Sequence, residues 1–371
     1  MTHRILQIIP TLVRGGAEKQ LMLLATRLPR AQFDVHVCTL TRGGPLSSEL
    51  HSAEIPLHAI DKRWKLDPAA YWRLRKLIRQ LRPHLVQTWL FAANSYGRQA
   101  ALQMRVPRVV ASERCVDRWK VWHELAIDRY LARRTDRIVT NSQGVVEFYT
   151  QHGIPTEKFT VIPNGIEPDT TFTPMTRTAL LAELGLPDDA RLIGAVGRLW
   201  PQKGYKDLIW AAELLRVVRA DTHLLIIGEG PQLAQLMRWR DSQDLAGRVH
   251  FLGHRHDVPA ILPHLTCFWL GSSYEGQSNA VMEAMQAGVP VIATDIPGNR
   301  ELIVPEETGF LYSVGDRATL ARLTHRLLDD AALAERFSYA ARQRVREHFS
   351  VEAMVSRHAE LYTQLLADVA P

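Results

Sequence analysis

Two series of alternating strand and helix signals, one ending near residue 165 and one opening at Arg191, constrain this 371-residue chain more than any other feature. Short apolar runs separated by helix-length amphipathic stretches build parallel sheets, because a parallel pair needs a crossover that a helix supplies. In the first series the predicted strands are 4–9, 34–39, 84–88, 108–111, 137–140 and 159–162, with helices over 17–28 and 70–81. In the second they are 192–196, 223–227, 249–252, 267–270, 290–293 and 309–312. Pro163-Asn164-Gly165-Ile166-Glu167-Pro168 is a turn-rich break between them, leading into a weakly ordered stretch to about Pro174. The expected organisation is α/β: a first domain over 1–165, a second over 166–349, and an amphipathic helix from Ser350 to 371. Each domain reads as doubly wound and Rossmann-like, with ligands expected at the carboxyl ends of its strands.

Composition narrows the class. Hydrophobic residues make up 46% and charged residues 23% of the chain, an ordinary globular balance. The run 5–13 is short and interrupted by Pro10, so it reads as a buried strand with its exit loop, not a signal peptide. No apolar run approaches the roughly 20 residues of a membrane-spanning helix. Cys38, Cys115 and Cys267 lie far apart without metal or redox spacing, which points to a reducing compartment and a cytoplasmic location.

Charge is uneven. Residues 1–165 carry 25 Lys and Arg against 13 Asp and Glu, a net of +12; with +6 over the whole chain, the remainder carries −6. The excess gathers in Lys62, Arg63, Lys65, Arg73, Arg75, Lys76, Arg79 and Arg82. Leu74, Leu77, Ile78 and Leu81 form an apolar stripe on the helix over 70–81, with most of the basic side chains off it and Trp64, Tyr71 and Trp72 at its leading end. A solvated basic face on a core-packed helix is the plainer reading. A basic, Trp-flanked face also suits an anionic membrane surface or a polyanionic acceptor. Zinc-finger spacing and aromatic-basic RNA motifs are absent, so nucleic acid is not an expected partner.

Glu275 and Glu283 stand eight residues apart in Tyr-Glu-Gly-Gln-Ser-Asn-Ala-Val-Met-Glu-Ala-Met, between an apolar strand and a predicted helix over 279–287. A helix start leaves backbone N–H groups without intrahelical partners, so Gln277, Ser278 and Asn279 can donate to an anion or to hydroxyls. Two carboxylates beside an anion site suit a ligand that carries both phosphate and hydroxyls, because carboxylates accept strongly from O–H groups. In Gly197-Arg198-Leu199-Trp200-Pro201-Gln202-Lys203-Gly204, Arg198 falls at a strand's carboxyl end and Lys203 just before a helix. A guanidinium fork plus an ammonium suits a diphosphate. Near Thr11 to Glu18, the pair Gly15-Gly16 lets backbone approach a ligand at a third helix start. Neither domain has Gly-x-Gly-x-x-Gly after its first strand, so dinucleotide binding is not expected. His254-Arg255-His256-Asp257 lacks further ligands, and no Asp-x-Asp occurs, so no metal site is expected.

The Glu-x7-Glu block with its Glu-Gly-x-Ser-Asn context resembles the family-4 retaining glycosyltransferases of the GT-B fold. So do Gly-Arg-Leu-x-x-x-Lys-Gly, the Gly-Gly-x-Glu loop, Pro-Asn-Gly at the break, and Phe251-Leu252-Gly253. The resemblance implies two Rossmann-like domains facing a central cleft, with the last helix returning to the first domain. It implies transfer of a sugar from a nucleoside-diphosphate donor, a UDP-sugar, to a hydroxyl of a glycan or lipid-linked acceptor. Arg198 and Lys203 would then hold the diphosphate, with Gly15 and Gly16 facing the donor. Glu275, Gly276, Gln277, Ser278 and Asn279 would hold the sugar, Glu283 the ribose, and Arg255 the base edge. No cofactor or metal is implied, the nucleotide sugar being a co-substrate. One departure concerns Val109-Val110-Ala111-Ser112-Glu113-Arg114, where many family members carry a histidine and this chain has Arg114. Glu113 and Arg114 are the acceptor-side candidates; in isolation they read as a surface pair. A nucleotide-sugar epimerase of the same fold and a non-catalytic nucleotide-sugar-binding protein are the alternatives. The lipid-linked acceptor and the basic face together suit a cytoplasmic protein that associates reversibly with the inner face of the cytoplasmic membrane.

Overall fold

The computed structural model describes residues 2–167 and 175–370, so most of the expected linker to Pro174 lies outside the described residues. The chain divides into two compact units, Met1–Gly165 with Ser350–Pro371, and Ile166–Phe349.

In the first unit β1 (His3–Ile9), β2 (Phe33–Thr39), β3 (Leu57–Ala59), β4 (Leu85–Trp89), β5 (Arg108–Glu113), β6 (Arg137–Thr140) and β7 (Phe159–Val161) form one parallel sheet. Their order is β3-β2-β1-β4-β5-β6-β7. Of these strands, the edge strand β3 is the one that sequence patterning missed: three residues behind Pro56 carry too little alternation to register. Alternation along the strands splits the core. Ile5, Ile9, Leu85, Trp89, Val110 and Val139 pack with the helices Gly16–Arg27 and Val351–Leu366, while Leu6, Ile8, Val86 and Val109 pack on the other face. The closing helix contributes Met354, Tyr362 and Leu366 to that first core. Tyr362 links it to the strands, accepting from Gln7 at 3.0 Å and donating to Gln87 at 2.5 Å.

The second unit repeats the design with β8 (Arg191–Val196), β9 (Thr222–Ile227), β10 (Val249–Gly253), β11 (Cys267–Leu270), β12 (Val291–Thr294) and β13 (Gly309–Tyr312). The order β10-β9-β8-β11-β12-β13 is again parallel. In each sheet the strand order reverses beside the first strand, between β1 and β4 and between β8 and β11. Loops leaving these strands at their carboxyl ends diverge to opposite faces and open a crevice there. Both sheets are the α/β doubly wound kind expected from the sequence.

Candidate active site

The crevice of the second sheet receives the two motif loops. After β8 the chain turns through Gly197, whose carbonyl accepts from the Tyr205 hydroxyl at 2.9 Å, and runs through a 3-10 turn, Pro201–Lys203. Gly204 then starts the helix Tyr205–Val218 at φ +65°, and a Cβ there would collide with the carbonyl oxygen of Gly271. The glycine is required twice, by its left-handed backbone and by the loop leaving β11. That second loop is tied down by Ser273 N–H donating to the Gln202 carbonyl at 2.8 Å and Thr294 Oγ1 donating to the Ser272 carbonyl at 2.6 Å. Asn299 holds Thr294 in turn, through its amide at 2.9 Å from the Thr294 carbonyl. Gly298 lies so close beneath Gly276 that any side chain would strike the Gly276 carbonyl oxygen.

This scaffold joins the two motifs. Lys203 Nζ forms an ion pair with Glu275 Oε1, which also accepts from Ser272 Oγ at 2.8 Å. Both side chains are mostly buried, with 16% of Lys203 and 10% of Glu275 exposed. The helix Asn279–Ala287 starts four residues after Glu275, capped by Ser278, and ends at Gly288 in the left-handed conformation. Gln277 and Ser278 are buried and Glu283 is half-buried one turn into the helix. A carboxylate, an ammonium and a helix N-terminus thus converge at one switch point. Arg198 is exposed at the mouth of the same loop, its guanidinium 5.5 Å from the centre of the Trp200 ring, and no carboxylate among the described residues pairs with it.

Arg255, expected at a base edge, has carboxylate partners of its own. Its guanidinium is engaged by Glu183 and by Asp257, the latter at 2.6 Å, and these carboxylates push its pKa further up. His254 and His256 stack edge to face at 4.6 Å. Among the described residues no group of three or more His, Cys, Asp or Glu is arranged to hold a metal ion.

In the first unit Gly15 caps the helix Gly16–Arg27, and the Glu18 carboxylate folds back over it. Glu113 and Arg114 are neither exposed nor paired with each other. Glu113 is 3% exposed and accepts from Asn94 at 2.8 Å and Tyr149 at 3.0 Å, with Lys120 Nζ at 3.5 Å. Burial raises its pKa to about 7 against the pull of Lys120. Lys120 is itself buried against Asp128 at 2.8 Å and Asp117 at 3.1 Å; burial alone would depress its pKa, but the three carboxylates outweigh it. Arg114, 8% exposed, donates to Asn164 Oδ1 and lies 5.2 Å over the Trp89 ring. Sequence patterning could not find the Lys120 cluster, whose members come from four elements.

The basic segment also differs in detail. Arg73 is pinned to the carbonyls of Ile60 at 2.7 Å and Asp61 at 3.1 Å, so part of its charge is structural. Trp64, Leu66 and Trp72 are exposed, as are Trp119 and Trp122, which the sequence did not single out. The two groups meet the same helix, Leu90–Gln103: Trp119 packs on Phe91, and Lys62 lies over Tyr96. Among the described residues no helix is long and apolar enough to cross a membrane.

Comparison with known proteins supports the fold throughout. HepE of Anabaena, solved with UDP and glucose, superposes with a TM-score of 0.88 at 22% identity, covering 98% of this chain and 100% of that one. The apo lipopolysaccharide outer core galactosyltransferase WaaB gives 0.72 at 18% identity, covering 97% and 99%. The fold is of the GT-B type. Residues 14–170 match the family described as Glycosyltransferase Family 4, and 176–344 match Glycosyl transferases group 1. The chain belongs to the family-4 glycosyltransferases. Among its relatives is a UDP-Gal:alpha-D-GlcNAc-diphosphoundecaprenol alpha-1,3-galactosyltransferase of Escherichia coli, 27% identical over 98% of this chain and 96% of that protein. A lipopolysaccharide core biosynthesis mannosyltransferase, LpsB of Rhizobium meliloti, is 26% identical over 99% and 94%.

Proposed function

We propose that this glycosyltransferase acts with retention, moving a sugar from a UDP-sugar to a hydroxyl of a glycan or lipid-linked acceptor without a metal ion. The observation that carries the reading is the Lys203–Glu275 pair, held by Ser272 beside a helix N-terminus at the switch point of the second sheet. An ammonium and a helix start suit the diphosphate, and a carboxylate suits sugar hydroxyls. The choice of UDP draws on HepE and the Escherichia coli relative, and the diphosphate-linked lipid acceptor on the latter.

In the proposed reaction the bond from the anomeric carbon to the phosphate oxygen breaks, and a bond to the acceptor oxygen forms on the same face. The acceptor's proton passes to the departing phosphate oxygen. The protein's part is positioning and charge stabilisation. Lys203 and Arg198 stabilise the diphosphate as it gains charge, Glu275 with the N–H groups after Gly276 orients the sugar, and Glu283 accepts from the ribose. The exposed tryptophans and cations of the first unit suit reversible contact with an anionic membrane at its cytoplasmic face.

The test is UDP release from a panel of UDP-sugars with and without a polyprenyl-diphosphate-linked sugar, in EDTA. Acceptor-dependent release in EDTA, with the α-anomer conserved by NMR, is expected. Inversion, strict dependence on Mg²⁺, or conversion of donor without acceptor would each overturn the corresponding part.

A further inference from the structure

Alternation along β4 and β5 sends Gln87, Trp89 and Ser112, and beyond the strand end Arg114, to the face of the first sheet covered by the helix Val351–Leu366. The polar atoms there are unusually short of partners. Among the described residues eleven buried side-chain polar atoms lack one, and six belong to Gln87, Ser112, Arg114, Asn141 and His358. Buried polar groups are nearly always paired, so this concentration marks one place.

Arg114 is the decisive member. Its Nη2 donates to Asn164, but Nε and Nη1 have no acceptor, and no carboxylate among the described residues forms an ion pair with it. The same unit pairs its other deeply buried cations: Arg98 donates to Asp128 at 2.7 Å, and Lys120 has three carboxylates around it. A buried guanidinium without a counter-ion is costly, and each of its uncommitted N–H groups can donate to an oxygen of a phosphate or carboxylate. The surroundings fit a ligand that also carries hydroxyls. His358 Nδ1 lies 2.9 Å from the Met354 carbonyl, so it must be the protonated nitrogen, and Nε2 is left as an acceptor. The chain enters the helix after β4 through Leu90 at φ +67°, a conformation that a bulky residue adopts only under constraint.

We propose that Arg114 is a substrate-recognition residue that takes its counter-ion from the ligand, gripping a phosphate or carboxylate oxyanion at the carboxyl end of the first sheet. The oxyanion comes from the acceptor's diphosphate or from the donor's. The proposal rests on the function above only for that source, since binding is read without turnover.

The test compares the native chain with Arg114→Met and Arg114→Lys by calorimetry and thermal unfolding. One arm titrates inorganic diphosphate into protein already saturated with UDP; the other titrates UDP alone. Loss of one charged contact should weaken binding about 10–100-fold in one arm. Weakening of the diphosphate arm assigns the acceptor, and weakening of the UDP arm assigns the donor. Without ligand the Arg114→Met melting temperature should equal or exceed the native value, because a lone buried charge has been removed. Unchanged affinity in both arms, with or without a fall in melting temperature, makes Arg114 a structural cation and overturns the proposal. Should the Met variant not fold, the Lys variant decides: several-fold weaker binding at native melting temperature supports the site, and native affinity refutes it. A native chain that transfers no sugar yet binds diphosphate through Arg114 would sink the proposed function and leave this site standing.

Discussion

Replacing Glu275 by Gln separates what the Lys203–Glu275 pair does for the free protein from what it does for a bound nucleotide. Gln keeps an oxygen for Ser272 Oγ, now at 2.8 Å, and deletes only the charge that faces Lys203. With 16% and 10% of the two side chains exposed, the pair falls between two known classes. Exposed pairs contribute about 0.2–1 kcal/mol. Removing one partner of a fully buried pair costs about 3–5 kcal/mol. Unliganded stability should therefore fall by about 1–3 kcal/mol, read as a shift in urea midpoint at constant slope. UDP should reverse the sign. In the native protein Lys203 must leave Glu275 or share itself to reach a diphosphate; in the variant its charge is uncommitted. A charge-assisted hydrogen bond contributes about 1.5–3 kcal/mol, so UDP should bind at native strength or up to about tenfold tighter. Saturating UDP should then narrow the stability gap between the two proteins. Turnover should fall by about 100-fold or more, since a sugar-orienting carboxylate is gone, about 3 kcal/mol of transition-state stabilisation. Calorimetry with UDP, denaturation with and without it, and nucleotide release measure the three quantities. A variant that binds UDP tenfold more weakly, or transfers sugar at the native rate, refutes the reasoning.

Arg198→Ala and Lys203→Ala should each weaken UDP binding by several-fold to a few hundred-fold, about 1–3 kcal/mol for one charged contact; unchanged UDP affinity in both would remove the loop from the diphosphate site. Glu113 supplies a pH signature. Its folded pKa is raised from 4.5 to about 7, so the folded state holds the proton more tightly than the unfolded chain. The resulting stability is full below about 4.5 and is lost as pH rises to about 7. The stability of the native protein relative to Glu113→Gln should slope down across that window and level off above it, in urea titrations at a series of pH values; a flat difference would place the charge elsewhere. Gln at Arg73, Arg75, Lys76 and Arg79 together should reduce binding to anionic vesicles, each cation near such a surface contributing about 1 kcal/mol, and added salt should do the same to the native protein. Equal co-sedimentation with neutral and anionic vesicles would leave only a solvated helix face.

Much of this arrangement could be read from local pattern. The helix Asn279–Ala287 has the limits its residues dictate, Ser278 capping one end and Gly288 closing the other. Parallel sheets follow from alternation, and the Glu-x7-Glu and Arg198–Lys203 segments carry a strong family resemblance. What local pattern cannot carry is a partner brought in from afar. Glu183 lies 72 residues from Arg255 in sequence, and nothing near Arg255 reveals that a second carboxylate will engage it. Lys120 reads as one more surface cation until β5, the loop at Asp117, and the helices bearing Asp128 and Tyr149 close around it. Glu113 and Arg114 are adjacent in sequence, yet strand alternation sends them to opposite faces, one into a charge cluster and the other against Trp89. The edge strand Leu57–Ala59 was invisible because three residues hold too little pattern.

The helix Val351–Leu366 also fixes an order of events during synthesis. It fills one side of a core that starts with β1, so the first unit is completed only by residues synthesised after the second unit. Until then Gln7 and Gln87 lack the Tyr362 hydroxyl, and Ile5, Trp89 and Val110 lack an apolar cover. The second unit, Ile166–Phe349, is already whole by that time. A growing chain thus carries a finished second unit joined to an open first one, whose uncovered sheet face is the surface most exposed to aggregation or chaperone capture. A stop codon near residue 350 would leave that intermediate as the final product.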